Sequence, residues 1–482
     1  MKLTDANFKR RFSINYYRNI TLPMGEMSLH KDWINATDRG DPYPVTDKYG
    51  NVSESLGNDR YTLEFSGEGG IRRLLGAYFP WNTYDVKYES ISGKIGLALT
   101  SPAGDAAITL DKDGTLTVKC TDKEQSVNVG ARDCGTLSVE FRGEGVTVYF
   151  IKDGVHEPLF DFGDDYFYSL TEERVLDDTK IHLIASADSK KTVIKSVKWY
   201  LHAGISQADL RPVKYEDGSP IIEGGRIFLT VSVRCAVRRF QGVLSWCPTT
   251  CDFKLEGAIF FDSGDGHLSA DVASCIIYDR GARIWRIATW SSARGHIICI
   301  GESLSDPRYG VNIVDVRPMD AAKDGDSREE FLGFEGDEDP DMIFYNGKWR
   351  FAICRSESDG YHYYHFISDD LKGFDFVGKT EGCEKTGGSY VKAADGIYFV
   401  CGSDFNKRAV YDVYSLDNLS TPIQNLTPDY DDGGFRGWGT IMLLPTGSRY
   451  RYVWITFDRH LGSEYNWSYG NIHVFDSQTF RL

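Results

Sequence analysis

The sequence predicts an all-β protein, an N-terminal β-sandwich of jelly-roll or lectin-like kind followed by a five-bladed β-propeller. Three observations predict it. Aromatic residues are abundant, with 10 Trp, 28 Tyr and 27 Phe beside 49 Gly; rings suit pleated, half-buried strands and Gly supplies tight turns. Short runs that alternate apolar and polar residues recur between turn residues from Tyr61 to Tyr200, the pattern of antiparallel strands with one buried face. Beyond them a similar unit returns about every 50–60 residues, the mark of a repeat array.

The chain has 482 residues, 41% hydrophobic and 26% charged, which is globular composition. At the start, Lys9-Arg10-Arg11 supplies positive charge with no apolar segment behind it, so no secretory signal is expected and a cytoplasmic location is. No apolar run is long enough for a spanning helix. In the expected sandwich, residues 1–205 with an N-terminal extension, Thr115-Leu116-Thr117-Val118-Lys119-Cys120 follows the turn Asp111-Lys112-Asp113-Gly114. The runs 136–141 and 145–150 repeat the alternation, and 192–200 is the last strand. The polar stretch from Gly204 to Asp217, with Pro212, reads as a linker.

Residues 206–482 form the expected propeller. Its clearest unit is Glu338-Asp339-Pro340-Asp341-Met342-Ile343-Phe344-Tyr345-Asn346-Gly347-Lys348-Trp349-Arg350-Phe351, in which Asn-Gly is a strong hairpin signal. Weaker copies run from Glu216 to Leu229, from Asp271 to Gly281, from Gly388 through Phe399, and from Gly439 to Gly447. Five sheets arranged radially leave only short, protected edges.

Net charge is −16, from 54 basic and 70 acidic residues, which opposes binding to phosphate backbones and anionic membranes. Neither nucleic acid nor membrane is expected as a partner. Of ten cysteines, Cys299, Cys354 and Cys401 lie in apolar strand-like runs and read as buried hydrophobes. Cys247 and Cys251 lack the second pair that a zinc site needs; reduced thiols are the expectation. No metal site and no cofactor are expected. The acidic run from Asp320 to Asp341 leaves room for a structural calcium ion, although it lacks the order of a calcium loop and reads better as a solvated connection.

The first strand of each blade lines a propeller's axis, so residues that open those strands converge although distant in sequence. Asp217, Asp271, Glu338, Asp339 and Glu384 open them here. Glycoside hydrolysis needs such a set, one carboxyl protonated to assist the leaving oxygen and another ionised as base or nucleophile. Each alone is equally well a turn cap. Arg436, Trp438, Arg459 and His460, in two aromatic and polar C-terminal segments, are the candidates to bind sugar hydroxyls and ring faces.

The segment Glu338 to Phe351 resembles the Asp-Pro blade motif of the five-bladed β-propeller glycoside hydrolases, the arabinanase, xylosidase and fructosidase-like superfamily. The resemblance covers the last 270 or so residues. It implies three carboxylates from successive blades, acting as base or nucleophile, as a group tuning pKa and orientation, and as general acid. By position Asp217 would be the first-blade base or nucleophile, Asp271 the second-blade acid group and Glu338-Asp339 the third-blade group. Thr386-Gly387-Gly388 stands where Glu-Gly-Pro is frequent, with Glu384 two residues early, and Arg436-Gly437-Trp438-Gly439 where Gly-His is common. The general acid therefore stays open. The expected function is hydrolysis of a glycosidic bond in a plant-type oligo- or polysaccharide, with a furanoside implied by the resemblance alone. A carbohydrate-binding protein that cleaves nothing is the alternative, and a protein-interaction platform a weaker one.

Overall fold

Alternation in the sequence becomes strand register in the N-terminal half. The computed structural model describes residues 2–14, 17–27, 29, 46–57, 59–235, 238–292, 296–319, 336–403, 410–429, 439–445, 452–458 and 471–477. The run Thr115–Cys120 is a strand that buries Leu116, Val118 and Cys120 and turns the residues between them outward. It pairs antiparallel with Ala106–Asp111 on one side and Lys123–Asn128 on the other. The strands of this unit, Pro23–Leu201, join in one 13-stranded antiparallel sheet. That sheet folds over a single core, because Ile108 and Val118 near one end of the strand order share an apolar cluster with Val139 and Val148 near the other. Each such side chain contributes about 1.5–3 kcal/mol by leaving water. Among the described residues helix is confined to short pieces, such as Asp165–Ser169, whose first turn is capped by Asp164 accepting from the Tyr166 N–H.

The second compact unit is built from Met1–Leu22 and His202–Leu482. Its described residues form five four-stranded groups of antiparallel strands. The first is Ser206–Pro212, Arg226–Arg234, Arg238–Trp246 and Phe253–Asp262; the second is Val272–Asp279, Ile284–Ser291, Ile297–Ser303 and Gly310–Pro318. Gly310–Pro318 also runs parallel to Phe253–Asp262, so the outer edges of these two groups fuse. The third opens with Asp337–Tyr345 and the fourth with Ser389–Lys392. The fifth is Thr440–Leu443, Tyr452–Phe457 and Ile472–Ser477, completed by the N-terminal strand Phe8–Ile14. The first strands of the five groups touch in order, and the fifth touches the first, closing a ring. This is propeller architecture.

Two details differ from the sequence reading. The N-terminal residues, expected with the sandwich, close the ring as its last outer strand; Phe8 lies edge-on to Trp454 at 5.6 Å between ring centroids. The stretch read as a linker contains the innermost strand of the first group, Ser206–Pro212, while the region expected to open that group supplies its second strand. Asn346-Gly347 forms the expected hairpin, both residues in the left-handed region with φ of 52° and 77°, as a type I′ turn requires.

Near the axis an ion pair is sealed from solvent. Lys214 Nζ lies 2.9 and 2.8 Å from the two carboxylate oxygens of Asp341, and both side chains are 1% exposed. Asp341 also accepts the Tyr390 N–H at 2.6 Å. Lys214 lies on a short strand parallel to the end of Val272–Asp279, so the pair ties the second, third and fourth groups together.

Candidate active site

Each inner strand of the first three groups carries a bulge at the same place, between Ala208 and Arg211, Val272 and Cys275, and Glu338 and Asp341. The residues in the bulges, Asp209, Ala273 and Asp339, have φ of 57°, 58° and 53°. In the fourth and fifth groups glycines take the equivalent position, Gly387 with φ 61° and Gly439 with φ 97°. A bulge re-aims its side chain away from the pleat. The two bulge residues with functional side chains are both aspartates.

These aspartates are held by an arginine network. Arg211 Nη1 donates to the carbonyls of Ala273 at 3.3 Å and Pro340 at 2.6 Å, and Nη2 lies 3.3 Å from Asp339 Oδ1. One guanidinium thus fastens three neighbouring inner strands, and the carboxylates around it keep it charged despite burial. Asp339 Oδ2 accepts the Gly387 N–H at 3.1 Å, adding the fourth. Asp209 accepts a 2.5 Å hydrogen bond from Ser232 Oγ and lies 4.0 Å from Arg234 Nη2. Ser232 Oγ in turn accepts the Ala273 N–H at 2.9 Å.

Glu338 completes the cluster, partly exposed though set deep among protein atoms. Desolvation raises its pKa well above the usual carboxylate range, and the nearby charges of Asp339 and Asp209 add to the rise, against Arg234 and Arg211. Asp339 is pushed up to about 6, by burial first, with the Arg211 guanidinium opposing and Asp209 reinforcing. Like charges sharing one site cannot all ionise together. Tyr361, which lies within electrostatic reach of both Glu338 and Glu384, is also pushed up, mainly by burial. The arrangement offers one carboxyl that keeps its proton beside one with charged and hydroxyl partners, the division of labour that acid–base chemistry requires.

Of the residues singled out from sequence, Glu338 and Asp339 lie in this cluster. Glu384 sits in the loop before the fourth inner strand, beside Gly360 and Tyr361, in the left-handed region with φ 65°. Asp217 does not join them. It belongs to a turn at the other end of the inner strands, where its carboxylate meets Lys392 Nζ at 2.7 Å and Arg280 Nη2 at 3.1 Å. Desolvation there is outweighed by Lys392 and Ser219, which hold its pKa down at about 2. Asp271 is fully buried just before the second inner strand, and its oxygens accept from Ser269 Oγ and from the N–H and Oγ of Ser292. Its carboxyl is raised by burial, but its hydrogen-bonding capacity is used within its own sheet. Arg436, Trp438, Arg459 and His460 lie outside the described residues.

Asp209, Arg211 and Arg234 were not found from the sequence. The available signal was the match between Asp209-Leu210-Arg211 and Asp339-Pro340-Asp341, an aspartate followed two positions later by a charged residue that turns to the axis.

Residues 320–335 of the acidic run also lie outside the described residues. Farther along, Asp337, Asp339 and Asp341 are each met by a cation, Arg355, Arg211 and Lys214. Among the described residues of this unit, Glu357, Asp359 and His362 bring ligand atoms within 4.8 Å of one another; Lys379 Nζ already lies 3.1 Å from Glu357.

No family model matches the chain, and no curated protein matches it. Solved structures do. A family 117 glycoside hydrolase produced by the marine bacterium Zobellia galactanivorans aligns over 56% of this chain and 84% of its own, with 14% identity and a TM-score of 0.38. A thermostable family-43 glycoside hydrolase aligns over 57% of this chain and 90% of its own, again with 14% identity and a TM-score of 0.38. The exoplasmic/lumenal domain of VIP36, in a form bound to calcium and Man3GlcNAc, aligns over 32% of this chain and 83% of its own, with 16% identity and a TM-score of 0.25.

Proposed function

We propose that the chain is a glycoside hydrolase whose reaction is carried by Asp209, Glu338 and Asp339. The observation that supports this reading most is the convergence of three carboxyl groups on one end of the inner strands, with Glu338 holding its proton well above the ordinary carboxylate range. Asp209, beside Arg234 and Ser232, acts as base or nucleophile at the anomeric carbon. Glu338 donates its proton to the leaving oxygen. Asp339, fixed by Arg211 and the Gly387 N–H, keeps the proton on Glu338 through its charge and sets the orientation of the site. The superfamily resemblance supports the same division among three carboxylates, and from it alone we take a furanoside of a plant-type glycan as the preferred substrate. Arg436, Trp438, Arg459 and His460 remain our candidates for contacts to that sugar.

A second reading rests on one observation. Thr386, at the position where the resemblance leads one to expect a glutamate, is buried, so a protein of this design that lacks an effective acid would bind saccharide without cleaving it. Leaving-group dependence separates the two. A Glu338→Gln enzyme should retain most of its kcat on dinitrophenyl glycosides, whose leaving group needs no proton, and lose at least about 100-fold on unactivated oligosaccharides. Equal losses on both substrates would remove Glu338 from the acid role, and a wild-type protein that binds oligosaccharides and cleaves none would establish the binding reading.

A further inference from the structure

The connection between strands Arg238–Trp246 and Phe253–Asp262 is Cys247-Pro248-Thr249-Thr250-Cys251-Asp252, and the proposed hydrolysis makes no use of it. We propose that this turn is an oxidative modification site, at which a disulfide or peroxide oxidant joins Cys247 and Cys251 in a reversible intramolecular disulfide. The Cys251 N–H donates to the Cys247 carbonyl at 2.8 Å, which closes a five-residue α-turn and brings its end residues within about 7 Å, the limit for bridging two cysteines without moving the backbone. Cys251 is in the left-handed region with φ 61°, and its Sγ turns back over the loop, 3.9 Å from the Pro248 carbonyl. Both side chains are partly exposed. The sulfurs are near enough that negative charge on Cys247 opposes ionisation of Cys251.

The turn also assigns the two roles. Thr250, at its side chain and N–H, and the Thr249 N–H lie against the Cys247 sulfur and hold its thiol below the usual range, the Thr250 hydroxyl itself donating to Asp252. Burial pushes Cys251 up, with Arg11 opposing and Asp252 and Asp476 reinforcing. The thiolate is the attacking species, so Cys247 attacks and Cys251 resolves. With glutathione disulfide, the Cys247 thiolate attacks one sulfur, breaks the S–S bond and expels a glutathione thiolate. The Cys251 thiolate then attacks the Cys247 sulfur of the mixed disulfide and expels the second glutathione. The protein gives up two protons and two electrons, and the oxidant becomes two thiols. With hydrogen peroxide, Cys247 first becomes a sulfenic acid with release of one water, and Cys251 displaces the second.

The molecule carries its own controls, because Cys134 and Cys383 are exposed cysteines elsewhere on the chain. The full-length reduced protein is incubated with glutathione disulfide, alkylated and mapped by mass spectrometry without reduction. The peptide holding Cys247 and Cys251 should be lighter by two hydrogens and escape alkylation, whereas Cys134 and Cys383 should carry glutathione or the alkyl group, and reduction with dithiothreitol should restore both thiols. Cys251→Ser should trap glutathione on Cys247; Cys247→Ser should leave Cys251 alkylated. The proposal is overturned if Cys247 and Cys251 are alkylated as fully as Cys134, if either is found bonded to another cysteine, or if Cys251→Ser traps nothing on Cys247.

Discussion

At Glu338 the requirements of chemistry and of stability oppose each other. A carboxyl whose pKa is raised in the native state keeps a proton that the unfolded chain releases above about pH 4.3, so its contribution favours the fold at low pH and is lost as pH rises through the native value. Glu338→Gln, which cannot ionise, should therefore raise the melting temperature at pH 8, change it little at pH 4 and lower the rate on unactivated substrates. Thermal melts at the two pH values check the first part, and a variant less stable than wild type at pH 8 contradicts the desolvated carboxyl. Asp217 carries the opposite sign. Its native pKa of about 2 means that its ion pairs support the fold above about pH 3.9 and release it as pH falls toward 2. Because Asp217 is half exposed at the far end of the inner strands, Asp217→Asn should leave kcat unchanged, and a large loss there would place the chemistry at the wrong end of the ring.

The inner strand is the element on which the site depends, and its bulge is the device. The three bulges spend a left-handed conformation on a residue other than glycine, which costs about 1–2 kcal/mol each. The glycines at the equivalent place in the other two groups have no such latitude. A Cβ on Gly439 would stand 2.1 Å from the Ile455 carbonyl oxygen, so Gly439→Ala should lower stability by about 1–3 kcal/mol in a denaturant melt, and an unchanged midpoint would deny the strain. The same element marks how far the sequence could be read. The third inner strand was legible because Asp339-Pro340 precedes an apolar run and Asn346-Gly347 announces its hairpin. The first was not, although Ala208, Leu210 and Pro212 alternate with Gln207, Asp209 and Arg211, because the run is short, half polar and ends in a proline. Around an axis an inner strand is enclosed on every side, and its polar residues are satisfied by the neighbouring strands, as Arg211 is by Ala273, Pro340 and Asp339. A reading that takes polar residues beside a proline for solvent-facing chain therefore takes such a strand for a linker. Asp271 is a related case, for it stands just before an inner strand as the sequence predicts while its oxygens accept from Ser269 and Ser292.

For the ring-forming unit as a whole, closure depends on contacts between residues far apart in the chain. Phe8–Ile14 pairs with Ile472–Ser477, and Phe8 is buried against Trp454. Phe8→Ala should cost about 3–5 kcal/mol, read as an earlier unfolding transition; a change below 1 kcal/mol would mean that the N-terminal strand does not hold the ring. At the axis, removing one partner of the Lys214–Asp341 pair strands a buried charge, and Lys214→Met should cost a similar 3–5 kcal/mol. Both substitutions weaken the frame that brings Asp209 to Glu338 and Asp339, the three groups on which the functional account depends. The most direct test is the release of new reducing ends from a panel of plant oligosaccharides by the wild-type protein and by Asp209→Asn, at equal concentrations of folded protein. The account predicts cleavage of at least one furanoside-containing member by the wild type and a rate at least about 100-fold lower for the variant; equal rates for the two proteins, or no cleavage of any member by a folded wild type that binds them, would contradict it.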